Sequence, residues 1–478
     1  MDTSILVTAL PTISGQFKAF EQLSWVISAY IVTSTISTPL LGKLSDLFGR
    51  RTIFLTAMGT FALASLLCGL SQSMNQLIAA RALQGVGGGA IQALSFAILG
   101  DILPPRERGR YVGYFTLAFA SAALLGPLIG GLIIDHWTWP WIFFINIPLC
   151  TLLMVALQRT LNLPFKRRQS RLDFIGAGLL AVGLAALMIG LEEAKTTIFN
   201  SKSLFLVAVA GVVLLLFVAQ ERRASEPMIP LSLFRNRVVL ACSMLGLCAG
   251  AVSFGASNYM SVYFQDALFV SPTEAGLRSM PLMLGIVVSS TATGRLIAAK
   301  GYYKRFPMVG SVLAAVALAV LSVLISHRSS YIHFVPWLIV MGLGFGAVYT
   351  TTSIATQNAC EIRDMGVATA TIMFFRSLGG SVMLAVSGTI LNKTIRSELP
   401  RRVGISAEKG VALIRRPQDI AALPTGVRNA VVDAISTGVG RVQLAAAISM
   451  VIAIGWAVFL PELPLRNNAG LTEVLLAE

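Results

Sequence analysis

Charge is what this chain of 478 residues has least of: 12% of it is Asp, Glu, Lys or Arg, against 55% hydrophobic residues. A water-facing surface needs about a quarter charged residues, so an ordinary soluble protein is excluded. The mean hydropathy of +0.76 places the chain in a bilayer instead. Histidine is scarcer still, and His136, His327 and His333 lie too far apart to gather a metal. The five cysteines, Cys68, Cys150, Cys242, Cys248 and Cys360, all fall in apolar segments without C-x-x-C spacing, so neither a zinc site nor a disulfide framework is indicated. No H-x-x-x-H, G-x-S-x-G or paired Asp motif offers an enzyme a catalytic cluster, and no G-x-x-x-x-G-K-[ST] loop cradles a phosphate, so ATP is not the expected energy source. A net charge of +15 would suggest nucleic acid in a soluble protein, but here the basic residues sit in short loops between apolar runs. That pattern sets membrane orientation and leaves no nucleic-acid partner expected.

What the chain has in abundance is apolar runs near the 20 residues needed to span a bilayer. They fall at 23–44, 53–71, 75–100, 110–134, 140–160, 172–192, 203–220, 238–264, 273–298, 306–326, 332–357, 366–391 and 439–460. Residues 1–13 form a further apolar segment that reads as a first span missing its first half, which brings the expected count to fourteen. Lys and Arg crowd the loops on the Arg50 side, while the short loops opposite carry only Lys18, Lys195, Lys202 and Arg328. The Arg50 side is therefore expected in the cytoplasm, with both termini. A long outer loop is expected at about 392–438, and Trp137, Trp139 and Trp141 read as an outer interfacial belt.

The chain also repeats itself. Gly85-x-Gly87-x-Gly89-Ala90 with Arg106-x-x-Gly109 returns as Gly342-x-Gly344-x-Gly346-Ala347 with Arg363-x-x-Gly366, every position shifted by 257. Between the runs at 23–44 and 53–71 lies Gly42-Lys-Leu-Ser-Asp46-Leu-Phe-Gly49-Arg50-Arg51, read as a polar, turn-forming loop. It resembles the signature loop of the major facilitator superfamily, G-x-L-[AS]-D-x-x-G-R-[RK]. Its echo, Gly294-Arg-Leu-Ile-Ala298-Ala-Lys-Gly301, keeps both glycines and lacks the carboxylate. Asp46 therefore reads as a one-sided latch that accepts from a helix N-terminus or an arginine of the facing half.

An ion inside a span costs several kcal/mol unless it meets a partner or water, so Asp2, Arg81 and Arg376 are functional candidates. Arg81, Gln84 and Gln92 share one helical face with glycines between them. The stretch resembles the superfamily's R-x-x-Q-G-x-G motif, which implies an arginine that adjusts the proton affinity of a neighbouring carboxylate. Asp2-Thr-Ser-Ile-Leu-Val-Thr-Ala-Leu-Pro11 resembles the first-helix motif of the fourteen-span drug:proton antiporters, which implies Asp2 and Arg81 as the proton-coupling pair. Burial favours the neutral carboxyl and a nearby arginine favours the charged one, a balance that proton exchange needs. For Arg376 three partners stay open: Asp2, an anionic substrate or a backbone carbonyl. Gly126-Pro127-Leu-Ile-Gly130-Gly131 resembles the superfamily's antiporter motif, with Ala122 in place of its first glycine, and favours export. Gln84, Gln92, Asn258, Tyr259, Gln357, Phe374, Phe375 and Arg376 are candidates for the wall of a substrate cavity, since aromatic faces with few charges suit amphipathic molecules.

With Trp141-Ile-Phe-Phe-Ile-Asn146-Ile-Pro148 and Phe374-Phe-Arg376-Ser-Leu-Gly-Gly-Ser381, the resemblance covers nearly the whole chain. It implies an all-α integral membrane protein of the major facilitator fold, with a six-helix half at 1–160, two inserted helices at 161–237 and a second half at 238–478. The implied function is a secondary active transporter that exports small amphipathic compounds in exchange for protons. A facilitator, importer or exporter of one specific metabolite with the same fold is the rival. No cofactor is expected beyond the proton gradient. The lipid bilayer, a small-molecule substrate, protons and a periplasmic adaptor protein are the expected partners, and the cell's inner membrane the expected location.

Overall fold

The computed structural model describes residues 2–17, 22–103, parts of 111–134, 136–161, 173–196, 201–224, 227, 229–325, 330–361, 364–403, 420 and 423–465. Every regular element among them is helical. The chain opens with α1 (Asp2–Phe17), α2 (Leu23–Phe48), α3 (Arg50–Gly69) and α4 (Met74–Ile102). The described residues within 111–134 are helical, and α5 (Trp141–Thr160), α6 (Phe174–Thr196) and α7 (Ser201–Glu221) follow. α8 (Arg237–Ala251) carries on through two π-helical segments, Val252–Ala256 and Tyr263–Ala267. The remainder is α9 (Met280–Lys300), α10 (Arg305–Leu324), α11 (Val335–Ala359), α12 (Met365–Val403) and α13 (Thr425–Phe459). Among the described residues, eleven helices are long and apolar enough to cross a membrane. Large apolar side chains point outward, Leu215 at 72% exposure and Val323 at 83%. A bilayer accepts such faces, whereas water would penalise them.

The glycine repeat has one physical cause in both of its copies. α4 packs between α2 and α3, and α11 packs between α9 and α10. Gly85 and Gly89 press on the Tyr30 and Ser34 carbonyls of α2, and Gly87 presses on α3, where a Cβ would come within 2.7 Å of the Ala57 carbonyl oxygen. Their counterparts behave alike. Gly342 and Gly346 meet the Leu282 and Ile286 carbonyls of α9, and Gly344 meets Gly310 of α10. Small residues at these positions let backbones touch, which is how membrane helices associate without a hydrophobic drive. Gly346→Val is expected to overpack this contact, because even a Cβ would sit 2.8 Å from the Ser290 nitrogen. The cost is about 1–3 kcal/mol, seen as a lower melting temperature in detergent, and an unchanged melt would refute the packing role.

Three expectations need correcting. The segment from Gly42 to Arg51 is not a loop: α2 runs to Phe48, only Gly49 is non-helical, and α3 begins at Arg50. Gly49 has φ 93, so a glycine is required there, whereas Gly42 is mid-helix and serves to let α2 meet Ala370 of α12. Of the outer loop expected at 392–438, the described residues 392–403 and 425–438 are helical, since α12 continues to Val403 and α13 starts at Thr425. Charged residues there lower the hydropathy without breaking the helices. Trp139, unlike the exposed Trp137 and Trp141 of the expected belt, is buried in protein: its Nε1 donates to Gln16 Oε1 at 2.6 Å and its ring stands edge-on to Phe17.

Past α13 the chain folds back. Leu460 and Leu465 are buried with Val238, Cys242, Tyr303 and Ile354, while Tyr303 Oη donates to the Pro461 carbonyl at 3.0 Å and Asn358 Nδ2 donates to that of Pro464 at 3.0 Å. This strap ties the ends of α8, α11 and α13 to the α9–α10 connection.

Candidate functional site

The first turn of α1 delivers Asp2, and α4 places Arg81 and Gln84 one turn apart on the face that meets it. Arg81 Nη1 donates to Asp2 Oδ2 at 2.6 Å and to Gln84 Oε1 at 2.5 Å. Gln84 Nε2 in turn donates to Asp2 Oδ1 at 3.1 Å and to Ser65 Oγ of α3 at 2.8 Å. Asn146 Nδ2, from α5, adds a donor to Asp2 Oδ1 at 2.8 Å. Arg81 is fully buried, lies 4.4 Å over the Tyr30 ring and donates through Nε to the Val26 carbonyl at 3.2 Å. Four helices thus converge on one carboxylate that accepts from a cation and two amides. Hydrogen bonds of a guanidinium to a carboxylate are charge-assisted, shorter and stronger than neutral ones.

Asn146 was not among the expected site residues, although it stands in the Trp141–Pro148 stretch. Ser65 and Tyr30 offered no signal either, since hydroxyls are common in membrane helices. Asn146→Ala removes one donor and leaves the Asp2 carboxylate less satisfied, a loss of about 1–3 kcal/mol. The expected result is a lower melting temperature together with slower transport; wild-type values for both would remove Asn146 from the site.

A second polar cluster sits where α2 gives way to α3. The Arg50 guanidinium pairs with Asp46 one turn earlier, donates through Nη1 to Ser45 Oγ at 2.6 Å and through Nε to Asp101 Oδ2 of α4 at 2.7 Å. Asp46 Oδ2 then accepts from the backbone N–H of Val367 at 3.0 Å, in the first turn of α12. A carboxylate at a helix N-terminus meets unpaired N–H groups and the positive end of the dipole. Gly366 makes the approach possible, because its missing side chain leaves room for Asp46 and Arg50. Alongside, Gln357 Nε2 bridges the Phe96 carbonyl at 3.2 Å and Thr369 Oγ1 at 3.3 Å. α2 and α4 are thereby fastened to α11 and α12 at this end. Arg51 points elsewhere, its Nη2 donating to the Gln158 carbonyl at 2.5 Å.

The expected cavity residues do not form one wall. Gln84 belongs to the Asp2 cluster and Gln357 to the closed contact just described. Phe374 and Phe375 pack with Leu180, Leu184, Phe217 and Phe234 against the α6–α7 pair, so their rings are occupied by protein. Gln92 and Asn258 are exposed, and Tyr259 is half-buried against the core formed by α8 to α13. Arg376 stands over the Tyr349 ring, 4.0 Å from its centroid. Of the antiporter motif, Gly126 and Gly130 are buried and Gly131 is half-buried, while Pro127 lies outside the described residues.

An all-helical bundle with many apolar spans, polar clusters buried inside it and a doubled glycine framework defines a multi-pass membrane transporter. The Major Facilitator Superfamily model matches residues 1–384. The chain belongs to that superfamily, whose members transport solutes and are not enzymes. It is 30% identical over 487 residues to multidrug resistance protein 3 of Bacillus subtilis, covering 99% of this chain and 94% of that protein. It is also 32% identical over 469 residues to an uncharacterized MFS-type transporter of Mycobacterium tuberculosis, covering 97% of this chain and 68% of that protein. Among solved structures, the proton:xylose symporter XylE overlays with a TM-score of 0.63 at 15% identity, covering 99% of this chain and 95% of the other, a likeness of fold.

Proposed function

We propose that this transporter exports small amphipathic compounds in exchange for protons, by alternating access. The observation that carries the reading is the buried Asp2–Arg81 pair, a titratable carboxylate held by a cation inside the bundle. Intramembrane carboxylates of this kind are the usual elements of proton relays. Outward movement of drugs is supported by the likeness to a multidrug resistance protein. Residues 1–160 and 238–478 form the two rocking six-helix halves of this proposal, with 161–237 as an inserted pair, fourteen spans in all. The inner membrane is the location proposed, with both termini cytoplasmic. Energy comes from the proton gradient with no bound cofactor, and the basic stretch from Lys393 to Arg441 is offered to a periplasmic adaptor protein.

Asp46 is the latch of the closed end, through its contacts with Arg50 and the Val367 N–H. Asp46→Asn is expected to impair export while leaving the fold and drug binding intact; unchanged export would reduce the motif to a topology signal. Proteoliposomes with an imposed pH gradient test the coupling. Ethidium efflux that follows the size and sign of the gradient supports it, and transport indifferent to the gradient overturns it.

A further inference from the structure

Among the described residues, none offers Arg376 an anion. Its guanidinium lies flat over Tyr349, 4.0 Å from the ring centroid, and Nη1 reaches only the Met373 sulfur at 3.8 Å. Nε and Nη2 are buried and have no hydrogen-bond partner among the described residues. Asp2, one of the three partners the sequence leaves open, is committed to Arg81, Gln84 and Asn146. A backbone carbonyl, the second, is not in hydrogen-bond reach of either nitrogen. The placement is rigid: Gly250 of α8 presses on the Arg376 backbone, and Gly379 of the next turn presses on Leu247. Directly after Gly250, α8 widens into the π-helical turn Val252–Ala256, and such bulges recur at functional sites. The backbone that carries the side chain is thereby set against α8.

A guanidinium with two buried, idle donors is costly to keep, and a planar anion relieves that cost with two parallel hydrogen bonds. We propose that Arg376 and Tyr349 form a receptor for the carboxylate of an aromatic organic acid, with the anion on the guanidinium edge. This deepens the export reading and rests on it for the claim that the acid is cargo. The charge selects anionic amphiphiles over cationic ones of equal shape.

The test is binding of naphthalene-2-carboxylate and of 2-naphthylmethylammonium to the full chain in nanodiscs, by calorimetry, with no gradient present. The carboxylate should bind and the ammonium should bind at least tenfold more weakly. Arg376→Gln should weaken the carboxylate at least tenfold and should not weaken the ammonium. If that variant does not fold, Arg376→Lys, which keeps the charge and loses the fork, should weaken the carboxylate severalfold. Preference for the ammonium, or carboxylate binding untouched in the folded variant, overturns the proposal. Transport is scored separately in proteoliposomes. An Arg376-dependent site whose acid is never moved would refute export of acids while leaving the receptor, and gradient-driven ethidium export without carboxylate binding would refute the receptor alone.

Discussion

Asp2→Asn is expected to abolish gradient-driven export and to destabilise the protein, while a second change, Arg81→Gln, restores much of the stability and none of the transport. Asparagine keeps the size and one acceptor of the carboxyl but cannot carry the charge, so Arg81, fully buried, loses its counter-ion. Breaking a buried pair by removing one partner costs about 3–5 kcal/mol, because the other charge stays behind uncompensated. Removing both leaves two neutral amides beside Gln84 and Asn146, able to bond among themselves. A double-mutant cycle on melting temperatures should therefore show a large coupling between the two positions. Additive effects would mean that the 2.6 Å contact carries no mutual stabilisation. Transport separates function from folding: any double variant that melts like the wild type yet still exports against a pH-insensitive background refutes Asp2 as the proton carrier.

Gly366→Val is expected to hold open the end that the Asp46 cluster closes. A side chain on residue 366 would enter the space of the Asp46 carboxylate and the Arg50 guanidinium. The overlap penalises only the state in which α2 and α12 meet. A penalty of about 1–3 kcal/mol falls on that state alone and shifts the population roughly tenfold toward the open one. Spin labels on the exposed Ile102 and Lys300, at the ends of α4 and α9, should report a longer distance distribution, and export should fall with it. An unchanged distribution with full export would mean that Asp46 and α12 need not meet.

Legibility followed the number of physical purposes each residue type can serve. A buried ion inside a span has few, so Asp2, Arg81 and Arg376 stand out from the sequence. Glycines at a fixed offset mean close backbones, and the copies at Gly85 and Gly342 do sit against equivalent neighbours. Where one residue type serves two ends, reading along the chain misleads. Gly42 suggests a turn and in fact packs against Ala370, because glycine in a membrane helix more often brings helices together than ends them. Phe374 and Phe375 suit a cavity and in fact fill the junction with α6 and α7, since facing depends on partners the sequence does not order. Asn146 and Asp101 complete their clusters from α5 and α4, across separations of 144 and 51 residues. No local pattern announces such distances.

The lone non-helical residue between α2 and α3 bears on how force moves through the molecule. Two rods of 26 and 20 residues are joined by a single swivel, Gly49, whose backbone offers one φ and one ψ and no slack. Tilting the first rod must turn the second about that joint, and Arg50, the first residue past the pivot, is also the one that grips Asp46 and Asp101. The ion cluster therefore works at the shortest lever arm available, where a displacement of an ångström becomes many at the far ends of both rods.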